Sequence, residues 1–321
     1  MRFILIFIEF AWLLLAGARV FALELDVKSQ LPKGATSIPL KVFADRPFIT
    51  VTINGGTACE CVIDTGSEVT LLNKARVPLK NVRVGAVDRL EGSFVGALEG
   101  QRMTLDSLAF GDYVLKNVGL TMVDHKPGQK LAQLDMILGI DVLSKLRFTL
   151  DFANERFIVW AGRSEFPKPA ENLERLRVAI QRGSGDERPH VVATVNQKTR
   201  VSFLLDSGAD GSFVALQKFS EYGLQAEGPP TGMARINDGN TQRELHLFKT
   251  RFARLDIDKT SFLDVPTRVI DASTVVGPLA RQDLNSFYNI LGLPFLKTLQ
   301  AVHFDMPGRT LYMDRVKASA K

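Results

Sequence analysis

The sequence predicts a mainly β protein built from two homologous halves. Three observations predict it. A long stretch occurs twice, a shorter motif closes each copy, and the runs around both are rich in β-branched residues punctuated by turn signals. Residues 46–72 align without a gap on residues 188–214, an offset of 142, which places Arg46-Pro47 on Arg188-Pro189, Asn54 on Asn196 and Asp64-Thr65-Gly66 on Asp206-Ser207-Gly208. Met136-Ile137-Leu138-Gly139 then matches Asn289-Ile290-Leu291-Gly292 at an offset of 153, which also carries Leu143 onto Leu296, Leu146 onto Leu299 and Arg156 onto Arg309. The extra residues of the second half therefore fall between its two motifs. Two halves repeating in the same order mark a duplicated domain.

The elements follow in chain order. Arg2 precedes an apolar run, Phe3 to Ile8 and Ala11 to Ala16, broken by Glu9 and ending in Val20-Phe21-Ala22. Residues 1–22 resemble a secretory signal peptide cut after Ala22. The run is short for a bilayer span, so contact with a membrane is expected only if this segment is retained. The first lobe is expected over 23–165 and the second over 166–321. Their boundary lies between Gly162 and Gly185, where Pro167, Pro169 and Gly183-Ser184-Gly185 interrupt the pattern. Phe48–Ile53 and Val191–Val195 read as strands, and Asn54-Gly55-Gly56 as a hairpin turn. Thr149–Trp160 and Ala301–Met313 are also β-rich, and short helices are expected at Asp141–Leu146 and Pro294–Leu299. Glu171–Gln181 fits a helix or the first strand of the second lobe equally well.

Composition excludes several classes. The chain has 321 residues, 45% hydrophobic and 23% charged, enough for two ordinary domains. Its net charge is +5, but the basic residues are scattered, so no nucleic-acid surface is expected. The two cysteines, Cys59 and Cys61, read as small buried strand residues rather than a disulfide framework or a metal set. His125, His190, His246 and His303 are not spaced as ligands, and neither a metal nor an organic cofactor is expected.

The chemistry lies in the two triplets. Each follows an apolar run, Cys61-Val62-Ile63 or Phe203-Leu204-Leu205, so each delivers an aspartate on a tight turn at the end of a buried strand. Gly66 and Gly208 permit the turn and a close backbone approach. Thr65 and Ser207 offer hydroxyls able to bond across a pseudo-twofold axis. Ile137-Leu138-Gly139 and Ile290-Leu291-Gly292 would lie beneath the turns as their support. One such triplet is a weak signal, whereas two in matching contexts are strong.

With these motifs the chain, over about residues 36–315, resembles the aspartic peptidase superfamily of bilobal pepsin-like and dimeric retropepsin-like enzymes. The resemblance implies two β-barrel lobes with an active-site cleft between them, and Asp64 and Asp206 as a catalytic pair within a monomer, scaffolded by Thr65, Gly66, Ser207 and Gly208, acting on a peptide or protein substrate. Two carboxylates in contact would keep one proton between them, one serving as base on a shared water and the other as acid. A silent or highly selective peptide-binding protein on the same fold is the alternative. The match to pepsin-like enzymes thins in places. Residues 67–112 contain no Tyr for a flap, and the candidate flap, Asp88–Arg102 with Gly92, Phe94 and Gly96, is Gly-rich as in retropepsin-like proteins. A second such stretch runs from Gly232 to Gly239. About twenty residues separate Ala22 from the first repeat strand, too few for a typical prosegment. The expectation is an exported protein, secreted or periplasmic, of bacterial retropepsin-like type. Glu68 and Asp210, four residues after each aspartate, are candidates for tuning its charge.

Overall fold

The computed structural model describes residues 34–317, except 44, 78, 80–81, 93–95, 125–132, 163–164, 182–185, 216–219, 239–240 and 271–288. All of these belong to one compact unit. The signal-like segment 1–22 lies outside the described residues, among which no helix is long and apolar enough to cross a membrane.

Strand β1 (Ala35–Pro39) leads into the first lobe. That lobe is an eight-stranded sheet of β2 (Lys41–Phe43), β3 (Arg46–Ile53), β4 (Thr57–Ile63), β5 (Leu71–Asn73), β6 (Arg83–Gly92), β7 (Gly96–Phe110), β8 (Tyr113–Val123) and β9 (Met136–Leu138). Their spatial order is β2-β3-β4-β9-β5-β8-β7-β6, and β3 also pairs with β7, which closes a barrel. Ile49, Val51 and Ile53 alternate into its core, and so do Cys59, Cys61 and Ile63 on the facing strand. Both cysteines are free and share that inward face. Burial pushes the Cys59 thiol up to about 12, so it is an inert packing group.

One single-turn helix and three strands connect the halves: α1 (Ile140–Leu143), β10 (Arg147–Asp151), β11 (Arg156–Trp160) and, further on, β12 (Leu173–Ala179). The second lobe then repeats the first with β13 (His190–Val195), β14 (Thr199–Asp206), β15 (Phe213–Ala215), β16 (Gly232–Asp238), β17 (Thr241–Ile257), β18 (Thr260–Ile270) and β19 (Ile290–Gly292). Their order, β13-β14-β19-β15-β18-β17-β16 with β13 closing on β17, is strand for strand that of the first lobe from β3 onward. The chain ends with α2 (Leu293–Leu296), β20 (Ala301–Asp305) and β21 (Thr310–Val316).

The repeated asparagine has a physical cause. Asn54 and Gly55 turn the β3–β4 hairpin at φ of 49° and 72°, and Asn196 and Gln197 turn β13–β14 at 48° and 58°. Asparagine tolerates this left-handed region because its short amide can bond locally. Each amide oxygen then accepts a backbone N–H from the closing strand, Ser107 at 3.1 Å in one lobe and Arg254 at 3.0 Å in the other.

A six-stranded sheet, β1-β11-β10-β20-β21-β12, joins the halves. Its seam is the antiparallel pair β10–β20, where Phe148 stacks on Phe304 with ring centroids 4.6 Å apart. Glu171–Gln181 resolves as a strand because β12 pairs with β21 and buries Leu176 and Val178. The two helices begin one residue earlier and end three residues earlier than expected. Each closes after one turn, with the chain after α1 turning at Ser144 and Lys145 so that Leu146 drops into the core.

Candidate active site

The site is assembled by parallel pairing inside each lobe. β9 lies beside β4 with Leu138 opposite Ile63, and β19 lies beside β14 with Leu291 opposite Leu205. The Asp64 N–H donates to the Leu138 carbonyl at 3.1 Å, so the support motif holds the turn directly. Gly139 and Gly292 explain the third residue of that motif. A side chain on either would overlap the backbone of the loop above it, at Val69 in the first lobe and Gly211 in the second. The loops are stitched down by Ile140 N–H to Ser67 O at 2.8 Å and by Leu293 N–H to Ala209 O at 2.9 Å.

Between the lobes the two turns interlock. The Thr65 hydroxyl donates to the Leu205 carbonyl at 2.6 Å, and the Ser207 hydroxyl donates to the Ile63 carbonyl at 2.7 Å. Each hydroxyl also accepts the other residue's backbone N–H, at 3.0 Å on Thr65 and 3.1 Å on Ser207. Both side chains are fully buried, so these bonds have no water to compete with them.

The carboxylates are held in matching ways. Asp64 Oδ1 accepts the N–H groups of Gly66 and Ser67 at 3.0 and 2.9 Å. Asp206 Oδ1 accepts those of Gly208 and Ala209 at 2.8 and 3.0 Å. The two acids adjoin across the lobes, each carboxylate lying against the other lobe's glycine, Asp206 against Gly66 and Asp64 against Gly208, and each acts directly on the other. Each retains partial exposure while the surrounding protein displaces most of its water. Burial raises the pKa of Asp64, against the opposing pull of its backbone N–H partners, Asp206 and Arg46. Burial raises Asp206 further, because the neighbouring charge of Asp64 adds to it. A pair tuned this way keeps one proton between its members.

Sequence comparison finds one aspartyl protease domain in each half. Residues 49–145 match the family described as "gag-polyprotein putative aspartyl protease", and residues 191–295 match the family described as "Aspartyl protease". The fold is similar to that of the aspartic proteinase from Irpex lacteus, with a TM-score of 0.59 and 14% identity over 88% of this chain and 98% of that one. No curated protein matches the chain in sequence. The chain belongs to the aspartic peptidase family in its two-lobed form.

Several residues of this aspartic peptidase sit where the sequence expected them, and others do not. Glu68 reaches across to the second half and meets Arg188 at 3.3 Å. Arg188 is itself clamped by two 2.9 Å bonds from Asp186 and directs a further N–H toward the Gly66 carbonyl. Asp210 instead pairs within its own lobe, with Arg268 at 3.5 Å. The candidate flap is the β6–β7 hairpin, where Gly92 stands opposite Gly96; Phe94 lies outside the described residues. The stretch from Gly232 forms the matching β16–β17 hairpin, with Gly239 outside the described residues, and β16 approaches β7 across the lobes.

Sequence reasoning missed Asp141. Its Oδ1 accepts the Thr70 hydroxyl at 2.6 Å, and that hydroxyl accepts the Gly139 N–H at 3.0 Å. In the second lobe Ser212 accepts the Gly292 N–H at 3.2 Å, but the residue aligned with Asp141 is Pro294. The offset of 153 would have exposed this mismatch. Among the described residues no cluster of His, Cys, Asp and Glu could hold a metal ion.

Proposed function

We propose that the chain is an aspartic endopeptidase in which Asp64 and Asp206 share one proton and activate one water. The observation that carries this reading is the paired arrangement itself: two adjoining carboxylates, each with one oxygen held by two backbone N–H groups of its own turn and each lying against the other lobe's glycine. The ionised member takes a proton from the water as it attacks the peptide carbonyl. The protonated member donates to the carbonyl oxygen as the tetrahedral centre forms. Thr65, Ser207, Gly66 and Gly208 contribute by fixing the distance between the two groups. Export through residues 1–22 and action as a monomer belong to the same proposal.

The test is cleavage of a denatured protein mixture by the chain from Leu23, scanned from acidic to neutral pH, beside Asp64→Asn and Asp206→Asn. Cleavage by the parent that disappears in both variants supports the shared pair. Cleavage that survives in either variant, or none by the parent on any protein offered, rejects general endopeptidase action and turns attention to a single dedicated substrate or peptide ligand.

A further inference from the structure

Beside the Asp64 loop the first lobe carries a groove of about 420 Å³ whose lining includes neither carboxylate of the pair. Its floor is the outer face of the β7–β8 ladder, where Arg102 stands opposite Thr121 and Thr104 opposite Gly119. A side chain built at Gly119 would meet nothing within 4 Å, so the floor is open there. Val69 forms one wall and Asp141 another. Val69 lies on the loop that begins at Asp64, and Ile140, next to Asp141, bonds to Ser67 on that same loop. The groove and the carboxylate pair thus share a wall.

Asp141 is fixed but incompletely satisfied. Its Oδ1 accepts the Thr70 hydroxyl at 2.6 Å and the Val142 N–H at 2.9 Å, whereas Oδ2 makes no hydrogen bond or ion pair among the described residues. A carboxylate oxygen held rigid in a half-enclosed groove is a strong acceptor for a charged donor. Long basic side chains suit the rest of the site, since their aliphatic stems can lie along Val69 and the threonine methyls while the charged end reaches Asp141. The second lobe has Pro294 at the aligned position and offers no such acceptor.

Resting on the peptidase reading, we propose that this groove is a one-sided specificity site that takes a single Lys or Arg side chain of the bound peptide, with Asp141 as its acceptor. Because the second lobe has Pro294 where the first has Asp141, the preference falls at one position on one side of the scissile bond.

The experiment measures binding rather than cleavage. The full chain carrying Asp206→Asn is titrated by fluorescence anisotropy with labelled decapeptide pools that hold either Lys or norleucine at one fixed position, the position being scanned. Norleucine keeps the stem and removes the charge. The expected result is tighter binding of the Lys pool, by about tenfold, at one position only. Adding Asp141→Asn, which keeps an oxygen for Thr70, should bring the Lys-to-norleucine ratio near one. Equal binding at every position, a Lys preference that survives Asp141→Asn, or no binding of either pool would each overturn the proposal. Failure of the peptidase reading is recognised separately, by absent cleavage in the parent chain.

Discussion

Gly66 touches Asp206 so closely that a side chain on the glycine would overlap the aspartate's carboxylate, and Gly208 stands in the same relation to Asp64. Each lobe's glycine therefore makes the space for the other lobe's acid. Gly66→Ala and Gly208→Ala should each lower kcat/KM on a peptide substrate by about 100-fold or more, because a displacement near 1 Å at the reacting groups costs that much. The fold is otherwise unaffected at these positions, so far-ultraviolet circular dichroism should stay close to that of the parent. Activity retained in either variant would mean that the two turns tolerate separation.

Thr65 and Ser207 are expected to govern stability more than binding. Thr65→Val removes a buried donor to the Leu205 carbonyl and the acceptor for the Ser207 N–H, leaving both groups unsatisfied. The cost should be about 2–6 kcal/mol in urea unfolding, since each buried orphan costs about 1–3 kcal/mol. Thr65→Ser keeps both bonds and should lose far less. Equal losses in the two variants would show that the methyl group, not the hydroxyl, is what matters at this position.

Much of this arrangement was legible in the sequence, because duplication writes the same physical requirement twice. The Asp-Thr/Ser-Gly turns, the Ile-Leu-Gly supports and the paired Asn54 and Asn196 all recur, and each recurrence has a steric or hydrogen-bonding cause. What was not legible is what the halves do not share. Asp141 faces Pro294 in the alignment, and Arg188 owes its clamp to Asp186, which aligns with Ala44. The central sheet was hidden for another reason. His303 meets Thr149 and Arg175 only because strands 128 and 154 residues apart in sequence come together, and no local pattern encodes that. Glu171–Gln181 was ambiguous because an edge strand burying few residues leaves no clear period.

The acid pair should oppose stability as pH rises. The folded chain holds both carboxyls above their ordinary range, so above about pH 4 the unfolded chain releases protons that the folded chain retains. Stability from this source is fully present below the unfolded pKa and is lost as pH climbs through the folded one. Asp206→Asn removes the larger part of the effect, that of the more strongly raised acid, and leaves the part due to burial of Asp64. The variant should melt higher than the parent at pH 7, by about 2–5 °C, with the gap closing toward pH 4. A variant less stable than the parent at pH 7 would contradict the direction of these shifts.

His303 should act in the opposite sense. Its ring is buried in the central sheet, with Nδ1 2.8 Å from the Thr149 hydroxyl and Nε2 3.0 Å from Asp314 Oδ2. Thr149 accepts the Trp160 indole N–H at 2.8 Å, so its own proton goes to Nδ1 and the ring proton on Nε2 goes to Asp314. A second ring proton, on Nδ1, would displace the Thr149 hydroxyl proton from that bond, and the added charge would lie beside Arg175, whose guanidinium is 2.9 Å from Nε2 and also binds Asp314. Burial depresses the His303 pKa below 6.5, and Arg175 adds to that, against the pull of Asp314 and Asp151. For a group depressed on folding, the stabilisation is complete above the unfolded value and disappears as pH falls through the folded one. In the Asp206→Asn background, where the opposite slope of the acid pair is reduced to that of Asp64, stability should fall as pH drops from 6.5 toward 4. His303→Gln in that background should flatten the curve over this window while lowering stability at pH 7. Calorimetric melts at half-unit pH steps would decide it, and an unchanged slope in the Gln variant would place the acid sensitivity elsewhere in the sheet.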